Sequence, residues 1–107
     1  MRLIEIDPKP IQRFYVPFEG ENIKVELYFK DAGYWIANFS YSDKSINGVM
    51  LASRVLLLEG RNFAFDFVID DKGLELDPYD LNSFDENFSL YLLERDNMSE
   101  IRGYDVE

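Results

Sequence analysis

A chain of 107 residues with 47% hydrophobic side chains is long enough for one domain with a modest core, and too apolar to remain disordered. Its net charge of -10, from 21 acidic against 11 basic residues, excludes a surface built to grip phosphate backbones or an anionic bilayer. Without cysteine or histidine it also lacks disulfides, thiolate metal sites, cysteine nucleophiles and the usual imidazole base.

The opening MRLIEIDPKP has no continuous apolar core of the signal-peptide kind, and no run approaches membrane-spanning length. A soluble protein that needs no export signal is the expectation. Residues 2–6 alternate apolar and charged positions and predict a short leading strand, stopped by Asp7-Pro8-Lys9-Pro10. Ile11 to Phe18 predicts a second strand with Phe14, Val16 and Phe18 on one face. Pro17 cannot donate to a ladder, so this strand belongs at an edge or ends there.

The stretch from Ile23 to Tyr41 organises the chain. Ile23, Val25, Leu27 and Phe29 alternate with polar residues, as do Trp35, Ala37, Phe39 and Tyr41, which gives two strands with one apolar face each. Asp31-Ala32-Gly33 suits a three-residue loop with Gly33 at positive φ. Setting Lys30 opposite Tyr34 pairs Phe29 with Trp35, Leu27 with Ala37, Val25 with Phe39 and Ile23 with Tyr41, so loop and pattern agree on one register. The opposite face is mostly polar but holds one apolar island, Tyr28 and Ile36.

Beyond the turn at Ser42-Asp43-Lys44-Ser45, residues 46–51 predict a strand bulged at Gly48. Val55 to Leu58 is an apolar run of strand length, and Phe63, Phe65, Phe67 and Ile69 form one face of a further strand with Asp66 on the other. Leu74 to Asp77 predicts a brief strand. Asp77-Pro78 then opens the only helix-like stretch, reaching Phe84, with Asp77 as its cap. Phe88 to Glu94 is the last strong strand, with Phe88, Leu90 and Leu92 inward.

The expected fold is all-β: a small single-domain antiparallel barrel or sandwich over residues 1–95, with at most one short helical turn. A partly open barrel of the OB or SH3-like kind heads the choices. Residues 96–107 form a polar C-terminal tail.

Carboxylates are the only abundant catalytic groups. Asp66, Asp70, Asp71, Glu75, Asp77, Asp80, Asp85 and Glu86 lie in one acidic third of the chain. A calcium site or an acid–base pair would draw on them, but Asp70-Asp71-Lys72-Gly73 lacks the alternating ligands of a calcium loop. Acid catalysis needs a buried carboxylate, whereas these are expected at turns on a solvated surface. No phosphate loop, nucleophile elbow or zinc spacing occurs, so no enzyme activity and no cofactor or metal is expected. Base stacking on aromatic side chains needs a cationic groove, which this composition opposes. Tyrosine tolerates half-exposure and favours protein contacts, so the candidate interaction residues are Tyr28, Tyr34, Ile36, Tyr79, Leu81 and Tyr91.

Order and spacing along residues 4–93 also resemble a known family. The marks are Ile4-Glu5-Ile6-Asp7-Pro8 followed by Ile11-Gln12-Arg13-Phe14, and Val25-Glu26-Leu27-Tyr28-Phe29 leading to Gly33-Tyr34-Trp35. Asn47-Gly48-Val49-Met50-Leu51 follows, then Asp77-Pro78-Tyr79-Asp80-Leu81 before Phe88-Ser89-Leu90-Tyr91-Leu92. In this the chain resembles the small baseplate plug family of contractile-tailed phages, whose domain was first defined on a cyanophage baseplate. Lys24 and Lys30 stand where family members often carry arginine.

The resemblance implies a structural virion subunit near the hub and tube end, assembled in the host cytoplasm. It would contact other baseplate, hub or tail-tube proteins within a multi-subunit ring, with no specific nucleic-acid or membrane binding. Its exposed acidic groups, Asp70 and Asp71 among them, would repel passing DNA. A stand-alone OB- or SH3-like binding module with one concave aromatic groove is the alternative.

Overall fold

The computed structural model describes residues 1–94. The expected polar tail at 96–107 lies outside the described residues. Regular alternation is realised most fully in a four-stranded antiparallel meander: β2 (Ile11–Phe18), β3 (Glu21–Lys30), β4 (Tyr34–Tyr41) and β5 (Lys44–Met50), in that order across the sheet. Its central hairpin has the expected register, with Lys30 opposite Tyr34, Phe29 opposite Trp35, Leu27 opposite Ala37 and Val25 opposite Phe39. The regular β3–β4 ladder ends at Lys24 and Ser40, one step before the expected Ile23–Tyr41 pair. At the loop, Gly33 has φ of 95° and donates its N–H to the Lys30 carbonyl at 2.8 Å.

The two outer hairpins turn tightly, the second more so than the expected turn over Ser42-Asp43-Lys44-Ser45. Phe18 faces Glu21 and Tyr41 faces Lys44, leaving the two-residue turns Glu19-Gly20 and Ser42-Asp43. Positive φ at Glu19, Gly20 and Ser42 bends the chain with the twist of its flanking strands. β2 is an edge strand, so Pro17 interrupts no interior ladder. The bulge lies where Gly48 predicts it: Ala37 pairs with Val49 and Phe39 with Ile46, so Asn47 and Gly48 together face Asn38. Asn38 Oδ1 accepts the displaced Gly48 N–H at 2.9 Å.

A second antiparallel sheet joins the two ends of the described chain, with β7 (Ser89–Leu93) between β1 (Arg2–Ile4) and β6 (Asp66–Asp70). The sheets stay separate and face one core, so of the two expected arrangements they form a sandwich and not a closed barrel. Val25, Leu27, Trp35, Ala37 and Phe39 of the meander meet Phe67, Ile69, Leu90 and Leu92 of the smaller sheet. Phe39 stacks on Phe67 at 4.9 Å, and Phe65 meets Phe18 and Tyr41 edge-on at 5.1 and 5.3 Å. Burying aromatic and branched side chains this way contributes roughly 1.5–3 kcal/mol each.

Three expected elements take other forms. The run Val55–Leu58 is an irregular strap along the open side of β6. Arg54, at φ of 65°, donates its N–H to the Ile69 carbonyl and Leu57 to that of Phe67, both at 3.0 Å. Those donors are three residues apart, which departs from the two-residue repeat of a ladder. The strap covers an edge that would otherwise offer unpaired backbone groups. Phe65, Phe67 and Ile69 are buried and Phe63 packs against them, as expected, yet the strand itself begins only at Asp66. Leu74 to Asp77 forms no strand.

Among the described residues the one helix, α1, is Ser83–Glu86, a single turn placed later than the sequence suggests. Asp77 does not cap it, because its Oδ1 accepts the Ser53 N–H at 2.8 Å. Ser83 Oγ instead accepts the N–H groups of Tyr79 and Asp80, at 3.2 and 2.9 Å, and shapes the approach to the helix.

Candidate protein-docking site

The outer face of the meander brings part of the predicted set together. The ladders align Ile11 with Tyr28, Tyr28 with Ile36 and Ile36 with Met50, which makes one row of large side chains across all four strands. Ile11 is 70% exposed and Met50 56%, so the ends of the row stand in solvent while Tyr28 and Ile36 are half-buried between them. Tyr34 lies on the same face, one row nearer the loop, opposite Lys30. Sequence alternation locates Tyr28 and Ile36; adding Ile11 and Met50 requires the pairing of β2 and β5, which local pattern does not contain.

Charges border that row. Lys30 Nζ lies 5.8 Å from the centre of the Tyr28 ring, within reach of a cation–π contact. In the next row Arg13 Nε donates to Glu26 Oε2 at 3.2 Å, and one row further Lys24 sits between Tyr15 and Ser40. Three cations and one carboxylate thus lie on this face of a chain whose net charge is -10.

The other candidates lie elsewhere. Tyr79 is 50% exposed on the loop before α1, its ring edge-on to Phe88 at 5.9 Å. Leu81, on the same loop, packs against the core. Trp35 Nε1 donates to the Asp80 carbonyl at 3.1 Å, and a β-carbon at Gly33 would lie 3.4 Å from the Tyr79 carbonyl oxygen. This loop therefore rests on the end of the central hairpin. Tyr91 is on the outer face of the smaller sheet, in a row between Leu3 and Val68. The six candidates fall on three surfaces, with Tyr28, Tyr34 and Ile36 together.

The acidic third of the chain differs from a uniformly solvated surface in two residues. Asp66 and Asp71 are each 1% exposed. Asp66 Oδ1 accepts the N–H groups of Leu58 and Phe67, both at 2.7 Å, and so ties the strap to the start of β6. Asp71 Oδ1 accepts from Arg54 Nε at 3.0 Å and the Gly73 N–H at 3.1 Å, while Oδ2 accepts the Leu76 N–H at 3.2 Å. Burial pushes the Asp71 carboxyl pKa up, but the Gly73 N–H, the Arg54 guanidinium and the Leu76 N–H together hold it below its ordinary value. Asp71 is thus a brace for the loop and no part of a DNA-repelling exterior, and only Asp70 of that pair is exposed.

Clefts indent the described surface. One, of about 460 Å³, is lined by Lys44, Ile46, Arg61 and Phe63 among others, and another, of about 300 Å³, by Leu3, Ile6, Phe84 and Leu90 among others. Each of these has one aromatic side chain in its wall.

No curated protein matches the chain. Residues 1–95 match the family described as cyanophage baseplate Pam3 plug gp18, and the chain belongs to this phage baseplate plug family.

Proposed function

We propose that the chain is a structural subunit of a contractile-tail baseplate that seats in or beside the hub, at the end of the tail tube, as a plug or connecting piece. The family match over residues 1–95 carries this reading. The apolar rows on the outer faces of both sheets support it, because a subunit wedged among neighbours needs contact surfaces on more than one side. Its partners are other baseplate, hub or tail-tube proteins arranged as a ring, and its place is the virion tail.

The function is mechanical. Both buried carboxylates hold backbone N–H groups, which is a structural use of charge. The outer-face residues Tyr28, Tyr34 and Ile36 form the principal contact surface, with Tyr79, Leu81 and Tyr91 contributing from the loop and the smaller sheet.

Cryo-electron microscopy of virions carrying this chain tests the placement. Density for the sandwich at the hub or tube end, with Tyr28 and Ile36 against a neighbour, is the expected result. Intact virions whose baseplates lack this density would overturn it.

A further inference from the structure

Two surfaces of the molecule carry complementary chemistry, and we infer that they bind each other between copies of the chain, head to tail. One is the outer face of the meander, with Ile11, Tyr28, Ile36 and Met50 in a row and three cations, Arg13, Lys24 and Lys30, on the same face against one carboxylate, Glu26, which pairs with Arg13. The other is the loop of residues 70–80. There Leu74, Leu76 and Tyr79 are 43, 50 and 50% exposed, interleaved with the exposed carboxylates of Asp70, Glu75, Asp77 and Asp80, which outnumber the loop's exposed cation, Lys72. A cationic apolar row faces an acidic apolar loop, so both charge and greasy surface find partners in the same contact.

Both halves are fixed before they meet. The row rests on four hydrogen-bonded strands. Asp71 holds the Gly73 and Leu76 N–H groups, and Ser53 reaches across with its N–H to Asp77 Oδ1 and its Oγ to the Leu76 carbonyl at 2.7 Å. Little ordering is then left to oppose association. A two-fold contact would set the cationic face against its own copy, whereas a head-to-tail contact sets it against carboxylates. Head-to-tail contacts leave an unused half at each end, so association grows until a ring closes. This inference stands apart from the placement at the hub and is read without virions.

The test uses the full-length protein in sedimentation velocity over a range of concentration and salt. Species larger than a dimer that shrink as salt rises are expected. Ile36→Glu on the face and Leu76→Lys on the loop should each abolish association while keeping a cooperative melt. Mixed together they should form a one-to-one dimer and nothing larger, since each retains the half that the other lacks. If Ile36→Glu does not fold, Met50→Glu at the exposed end of the row replaces it. A wild-type chain that stays monomeric throughout overturns the inference, as does a mixture that yields no heterodimer.

Discussion

The indole nitrogen of Trp35, in the centre of the meander, donates to the main-chain carbonyl of Asp80, 45 residues later, at 3.1 Å. The side chain is fully buried, so the central hairpin that organises the core also anchors the loop ahead of α1. Trp35 additionally packs on Phe29 at 5.3 Å and Phe84 at 5.6 Å, which places core and loop under one residue.

Trp35→Phe keeps a ring in the core but removes that donor. The lost bond costs roughly 0.5–1.5 kcal/mol, with a further loss from the smaller volume. Hydrogen exchange should quicken in residues 77–82 more than in β3 and β4. Equal acceleration in both regions would show that the bond does not anchor the loop.

Asp71 makes stability depend on pH with a definite sign. Its carboxyl titrates in the folded chain below the ordinary 3.8, so it stabilises the fold above that value and the contribution disappears as pH falls through the folded-state value. Thermal midpoints of wild type and Asp71→Asn, measured from neutral pH down to acid, should differ most at neutral pH. The gap should narrow below about pH 4. Parallel curves would mean that the Arg54–Asp71 contact adds no pH-dependent stability.

Gly48 sits at φ of 75° with open space around its α-carbon, so a side chain there meets no clash and only the backbone objects. Gly48→Ala should cost about 1–2 kcal/mol, and Gly48→Asn less, because asparagine enters this region more readily. Urea titration of the two variants checks the order. A neutral alanine would show that the bulge relaxes to negative φ.

Phe67 joins the two sheets through its stack on Phe39. Phe67→Ala should lower stability by about 3–5 kcal/mol, a large share of what a domain of this size commands. Phe67→Leu should lose less. Equilibrium denaturation distinguishes them, and an alanine cost below about 1 kcal/mol would mean that the cavity collapses.

Period-two alternation from Ile23 to Tyr41, with Gly33 at the loop, determined the central hairpin and its register, because a slip by one residue would turn Trp35 and Phe39 into solvent. Residue chemistry outside that stretch also put Pro17 at an edge or a strand end and a bulge at Gly48, and the alternation marked Tyr28 with Ile36 as an apolar island on the wet face. These features depend on near neighbours in the chain, where side-chain parity and turn chemistry act directly.

What only the tertiary structure decided depends on distant partners. The pairing of β1 with β7 joins residues nearly 90 positions apart, and no local pattern encodes it. Val55–Leu58 has the composition of a strand but becomes a strap, because β6 and the Asp66 carboxylate receive its N–H groups at the wrong spacing for a ladder. Asp77 has the place of a helix cap and serves Ser53 instead. Asp71 reads as a turn residue on the surface, yet Arg54 from a separate loop makes its burial tolerable. The row that joins Ile11 and Met50 to Tyr28 and Ile36 exists only because four registers coincide, since a strand's own sequence specifies which face a side chain takes but not which side chain will stand beside it.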